Sequence, residues 1–314
     1  MLNIKRNILL NPGPATTTDS VKLAMIVPDI CPREQEFVNV IDEIRAGLLE
    51  IVKADADDTC ILLTGSGTAA MDATINSVVP PGKKVFIINN GVYGERMVQI
   101  ARAYNIEHLD YEIPWTQVPD IKQIRDILKG DSRISHIAFI HHETTTGLLN
   151  PMREIGEMAH SLGKLVIVDT ISSFAGIPIN FKSDHIDFLM STSNKCIQGM
   201  AGVSFVICKK SEIEKSKDFP IRSLYLNLFK QYDYFRKHGE MQFTPPVQVL
   251  YALRQAIIEF IREGGDERHN RYYNSWKVLI AGLEDIGLDL LLDRNIQSHI
   301  LTTIVEPKDP NYSF

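Results

Sequence analysis

Lys195 and Asp169 are the two residues of this chain whose types and settings could do the most chemistry. Lys195 lies in Asp187-Phe-Leu-Met-Ser-Thr-Ser-Asn-Lys-Cys-Ile-Gln-Gly199, after an apolar, strand-like run and among small polar residues and glycine. A lysine held at the end of a buried strand gives up its proton more readily than one in water, and its free amine can attack a carbonyl. Asp169 closes a second apolar run, Lys164-Leu-Val-Ile-Val-Asp169. Each residue has an ordinary alternative. Asp169 could cap a helix, since Thr170, Ser172 and Ser173 follow it. Lys195 could be a surface amine on an apolar stem. As a pair, an amine for an aldehyde and a carboxylate for a protonated ring nitrogen are the two groups that pyridoxal 5'-phosphate (PLP) requires of a protein.

A phosphate ester also needs a seat. Ile61-Leu-Leu-Thr-Gly-Ser-Gly-Thr-Ala-Ala70 reads as a strand, a glycine turn and a helix start. Free amides and the helix dipole suit an anion there, and Ser66 and Thr68 add hydroxyls beside Gly65 and Gly67. The run also satisfies a G-x-G-x-x-A dinucleotide fingerprint, but that reading needs an acidic residue at the end of the next strand to hold a ribose. Here Val85-Phe-Ile-Ile leads into Asn89-Asn-Gly91, which favours a simple phosphate ester over NAD. A glycine turn used only for tight packing is the ordinary alternative. Tyr93, in Asn89-Asn-Gly-Val-Tyr-Gly-Glu-Arg96, either stacks on a flat heteroaromatic ring or packs as a core tyrosine. His141-His-Glu-Thr-Thr-Thr-Gly147 offers three hydroxyls after a strand. Adjacent strand side chains point to opposite faces, so His141 and His142 are not expected to share a metal ion.

These segments must be positioned by a sheet. Apolar runs predict strands over Thr59–Thr64, Lys84–Asn89, His136–His141, Lys164–Asp169, Ile186–Ser191 and Val203–Cys208. Helical periodicity appears at Glu95–Tyr104, Ile121–Lys129 and Pro151–Leu162. The alternation predicts an α/β fold with a mostly parallel sheet covered on both faces, whose binding residues gather outside the carboxyl ends of the strands. Beyond Cys208 the pattern changes. Lys209–Lys217 reads as a charged loop, and Leu224–Arg236 as aromatic and irregular. Pro245-Pro246 opens a long helix to about Arg262, Gly264-Gly265 stops it, and a second helix covers Arg268–Ile286. Leu301–Val305 reads as a strand.

Bulk composition narrows the function classes. With 33 Lys+Arg against 39 Asp+Glu, the 314-residue chain carries a net charge of -6 and has no dense basic block, which argues against nucleic acid as a partner. Cys31, Cys60, Cys196 and Cys208 show no metal or disulfide spacing and read as reduced thiols. Ile8-Leu9-Leu10 is too short for a signal-peptide core, and no apolar run is long enough for a membrane span, so a cytoplasmic location is expected.

The motifs in their order resemble the class V, fold-type I PLP aminotransferases. The resemblance is carried by Gly65-Ser-Gly-Thr68, Asn90-Gly-Val-Tyr-Gly94, His142-Glu-Thr-Thr-Thr-Gly147, Val168-Asp169 and, most specifically, Ser193-Asn-Lys-Cys-Ile-Gln-Gly199. Leu10-Asn-Pro-Gly-Pro14 and Arg222-Ser-Leu add to it. It is strongest to the branch that moves the amino group of 2-aminoethylphosphonate to pyruvate, giving phosphonoacetaldehyde and L-alanine. The resemblance implies that Lys195 bonds the cofactor's aldehyde and Asp169 pairs with its ring nitrogen. Ser66, Gly67 and Thr68 would hold the phosphate, with Asn194 beside it, and Tyr93 would stack on the ring. Thr145 would sit near the ring's 3-oxygen, and Thr244 would reach the phosphate of a neighbouring subunit in a homodimer. Pro12, Gly13 and Pro14 would line the substrate entrance. It also implies three units: a segment 1–20 lining the active site, a large cofactor-binding domain 21–245 with a seven-stranded sheet, and a long helix with the start of a smaller domain over 246–314. Family members continue further and carry a substrate-anchoring arginine there, so the last unit reads as truncated. Alanine–glyoxylate transamination on the same scaffold and a truncated, non-catalytic PLP-binding subunit are the alternatives. A cysteine desulfurase would want a reactive cysteine later than Cys208.

Overall fold

A computed structural model describes residues 7–309 and 312. Residues 1–6 of the expected N-terminal segment, and 310, 311, 313 and 314 of the expected C-terminal unit, lie outside the described residues. Two helices open the chain, α1 (Asp19–Leu23) and α2 (Gln35–Ile51). Strands and helices then alternate: β1 (Asp58–Thr64), α3 (Gly67–Val78), β2 (Lys84–Asn89), α4 (Val92–Ala103), β3 (His108–Glu112), α5 (Ile121–Gly130) and β4 (Ile134–Ile140). A two-residue ribbon, β5 (His142–Glu143) with β6 (Leu148–Leu149), precedes α6 (Met152–Ser161), β7 (Leu165–Asp169), β8 (Phe188–Thr192) and β9 (Val203–Lys209). Four helices follow: α7 (Lys210–Lys215), α8 (Leu228–His238), α9 (Val247–Glu263) and α10 (Gly265–Asp285).

The main sheet has seven strands in the order β1-β9-β8-β7-β4-β2-β3. The pairs β2–β3, β2–β4, β4–β7 and β7–β8 are parallel, as the alternating pattern predicts. Only β9 runs the other way, antiparallel to both β1 and β8. Its direction follows from its connection: residues 193–202 form a short turn out of β8, too short for the crossover that a parallel neighbour needs.

Period-two alternation places a core on each face. Cys60 and Leu62 of β1 join Phe37, Leu48, Phe139 and Phe205 in one cluster; Ile61 and Leu63 join Met71, Met97, Ile140 and Met190 in the other. The inner strands are therefore sandwiched between helices, and polar chemistry is pushed to the strand ends. At the amino-terminal rim, Gly82, Gly130 and Gly163 have open space where a Cβ would lie.

Four sequence expectations need correction. Leu224–Arg236 is not irregular throughout, because α8 occupies Leu228–His238. Asn227 caps it by accepting from Lys230 N at 2.9 Å, Arg236, Lys237 and His238 fill its last turn, and Gly239 ends it at φ 71. Its crowded aromatics hid a helical stripe in which Leu228, Gln231 and Tyr232 are buried. Lys209–Lys217 contains the single turn α7, pinned by the buried Ile213. Leu301–Val305 forms only an isolated bridge, Leu290 to Ile304. The glycine pair also acts twice: Gly264, at φ 90, stops α9, and Gly265 starts α10 earlier than expected, with Asp266 and Glu267 suiting the positive end of the dipole.

Candidate active site

Asp169 is the last residue of β7, paired in register with Ile140 of β4 and Met190 of β8, so it sits at the carboxyl rim in mid-sheet. It is 2% exposed. One carboxylate oxygen, Oδ1, accepts from Ile171 N at 2.7 Å, but the buried Oδ2 has no partner among the described residues. Burial pushes its pKa up to about 7; the nearby Glu143 carboxylate adds to the rise, and Arg96 and Lys195 oppose it. A buried, half-paired carboxylate costs free energy unless a ligand completes it.

Lys195 follows β8 on the same rim. Its Nζ donates to the carbonyl of Pro12 at 2.8 Å, and Ala15 N donates to the carbonyl of Asn194 at 2.9 Å. The N-terminal segment is thereby strapped across the lysine. Gly13 packs so closely that a Cβ there would collide with the lysine's terminal atoms. Desolvation lowers the Lys195 pKa, partly offset by Cys196 and by Asp169. Behind the lysine, Arg268 is 2% exposed. It donates to the Cys196 carbonyl at 3.1 Å and pairs with Glu263 at 2.7 Å. The Cys196 thiol is buried and pushed up to about 11, a packed thiol rather than a thiolate.

The glycine turn expected to seat a phosphate lies beside this pair. Gly65 turns at φ 155 and Ser66 precedes α3 with its side chain making no cap bond. A Cβ on Gly67 would meet Ile171 Cδ1 at 2.6 Å, so the start of α3 packs directly on the turn after Asp169. Thr68 Oγ1 accepts from Arg96 Nη1 at 3.2 Å, and the same guanidinium lies 4.6 Å from the centroid of the Tyr93 ring. Tyr93 N donates to Glu143 Oε2 at 3.3 Å, while Thr145 donates to Glu143 Oε1 from its hydroxyl at 2.6 Å and its amide at 3.1 Å. Thr145 Oγ1 in turn accepts from Val92 N at 3.3 Å. His141 bonds Ser173, and His142 meets the Ser172 carbonyl and Ser298.

Lys195, Asp169, Asn194, Pro12, Gly13 and Pro14 thus share one part of the rim, and Gly67, Thr68, Tyr93 and Thr145 adjoin it. Thr244 makes no hydrogen bond with them among the described residues, so its place in the site stays an expectation of the resemblance. It is exposed, next to Phe243, which stacks on Tyr225 at 5.3 Å; Tyr225 donates to the Thr64 carbonyl at 3.3 Å. Sequence reasoning missed three charged residues. Arg96 and Glu143 stand in quoted motifs without a role of their own, and Arg268 reads as an ordinary helix residue. The one available signal was Arg96, three residues after Tyr93 on the same helix, α4.

An amine and a carboxylate at the carboxyl ends of adjacent strands, beside a helix start, suit the chemistry of amino-group transfer. The Aminotransferase class-V family matches residues 27–306, and the chain belongs to it. The sheet and its flanking helices have the fold-type I aminotransferase architecture. Among its relatives, the 2-aminoethylphosphonate–pyruvate transaminase of Salmonella heidelberg is 42% identical over 310 residues, covering 98% of this chain and 84% of that protein. The alanine–glyoxylate aminotransferase of Nostoc sp. superposes with a TM-score of 0.90 at 30% identity, over 98% of this chain and 81% of that one. The pyridoxamine–pyruvate aminotransferase of Mesorhizobium loti shares the fold, with a TM-score of 0.89 at 22% identity over 97% and 78% of the two chains.

Proposed function

We propose that this aminotransferase uses PLP to move the amino group of 2-aminoethylphosphonate to pyruvate, giving phosphonoacetaldehyde and L-alanine. The choice of substrates is supported by the 42% identity to transaminases of that name along nearly the whole chain. The cofactor is supported by one observation above all, the buried Asp169 Oδ2 that none of the described residues satisfies. A protonated ring nitrogen is the partner that would relieve it. When bound, PLP supplies an aldehyde that exchanges one amine for another and a ring that accepts the electrons of a deprotonated carbon.

The chain's own residues do the rest. Lys195, its ammonium form disfavoured by desolvation, offers a free amine to the aldehyde and afterwards carries the proton of the substrate's amine-bearing carbon. Asp169 keeps the ring nitrogen protonated. Ser66, Gly67 and Thr68 hold the phosphate at the start of α3, with Asn194 nearby. Tyr93 would stack on the ring, and Thr145 would lie by its 3-oxygen. Pro12, Gly13 and Pro14 line the entrance and keep water from the amine. We further propose a cytoplasmic homodimer in which Thr244 serves the partner's site; among the described residues, no helix is long and apolar enough to cross a membrane.

The test is the absorbance spectrum of the purified chain with PLP. A yellow band that collapses on adding 2-aminoethylphosphonate and returns with pyruvate is expected. A band indifferent to that amine but bleached by alanine and restored by glyoxylate would reassign the substrates. No band would remove the PLP reading.

A further inference from the structure

Arg96 has no part in the proposed chemistry, yet it joins two sides of the site. Its Nη1 donates to Thr68 Oγ1 at 3.2 Å and its charged plane lies 4.6 Å from the Tyr93 ring centroid. A threonine hydroxyl has one proton to give. When it accepts from a guanidinium, that proton is left for another acceptor. Thr68 lies in the first turn of a 12-residue helix, where main-chain amides have no intrahelical carbonyl to bond. A carboxamide or neutral side chain at position 96 would not direct the hydroxyl in the same way or add positive charge.

The geometry points to Arg96 as a positioning residue for the cofactor's phosphate, acting through Thr68: it fixes the hydroxyl as a donor and adds positive potential to the helix-start seat. This rests on the PLP reading above. The contact with Tyr93 is a second, neutral use of the same group. It steadies the ring by a cation–π interaction, which would matter equally for a cofactor with or without a phosphate.

That difference supplies the test. Cofactor-free wild type, Arg96→Met and Arg96→Lys are titrated separately with PLP and with pyridoxal, which lacks the phosphate, and binding is read by absorbance. Charge-assisted hydrogen bonds to phosphate predict a loss of about tenfold or more in PLP affinity for Arg96→Met. Pyridoxal affinity should stay within about twofold of wild type, since a partly exposed cation–π contact is worth little. Arg96→Lys, which keeps charge without the planar fork, should fall between. In a Thr68→Ala background the Arg96→Met loss should shrink. Equal losses for both compounds, an undiminished PLP affinity, or a loss unchanged by Thr68→Ala would each overturn the assignment. If wild type binds neither compound, the PLP reading itself fails and takes the assignment with it. Melting of the cofactor-free variants separates a folding defect from a binding one, and the conservative lysine variant keeps the comparison decisive if the methionine variant unfolds.

Discussion

Asp169 shows how one side chain can oppose stability and serve chemistry. Its folded pKa, about 7, lies above its ordinary value of 3.8. The native state therefore holds this proton more tightly than the unfolded chain does. The resulting stability is fully present below about pH 4 and is lost as pH rises through about 7. Asp169→Asn removes the buried charge while keeping an oxygen for Ile171 N. Without cofactor, this variant should melt higher than wild type at pH 8, by roughly 2 °C or more, with the gap closing towards pH 5. Loaded with PLP, the same variant should turn over at least about 10²-fold more slowly, because the ring loses its ionised partner. A variant that melts lower at pH 8 and keeps its rate would contradict both halves. Asp169 and Lys195 were legible because each ends an apolar run. Arg96, Glu143 and Arg268 were not, because their roles come from neighbours 28, 2 and 72 positions away in the chain.

Among the elements, strands were read more reliably than the helices after Cys208. Every strand of the sheet's middle is mostly apolar and buried on both faces, and such runs stand out against amphipathic neighbours. The edge strand β3, His108–Glu112, escaped because a half-exposed edge tolerates His, Asp and Glu. Helix α8 escaped because its buried stripe includes a glutamine and a tyrosine among other aromatics. The helices at the C-terminal end also matter to the site. Arg268 of α10 reaches the backbone behind Lys195 while neutralising Glu263 at the end of α9. Arg268→Met leaves that carbonyl without its donor and removes one of the two arginines on Glu263. It should cost about 3 kcal/mol in urea denaturation and lower PLP affinity as the lysine loop loosens. Unchanged values in both measurements would mean that α10 packs without bracing the site.

As a whole molecule, the protein would on the proposed function bind two anions, a phosphate and a phosphonate, on a chain whose net charge is -6. Local donors have to overcome a mildly repulsive field, which gives the helix start and its arginine more weight than a tally of charges suggests. Ligand binding to the folded state alone should also raise the melting temperature with concentration. The sheet's two rims differ in how tightly they are built. At the carboxyl rim a Cβ on Gly13, Gly67, Gly91 or Gly199 would run into a neighbour, whereas Gly82, Gly130 and Gly163 at the other rim meet nothing. The molecule therefore has a side open to elaboration and a side closed to it. A flexible tract spliced in after Gly82 should leave melting and cofactor colour nearly intact, since each doubling of loop length costs only about 0.6 kcal/mol. The same tract after Gly199 should abolish the colour, because it would prise apart the turn that carries Lys195 into β9. A lineage adding a domain to this enzyme would have to attach it on the side away from the chemistry.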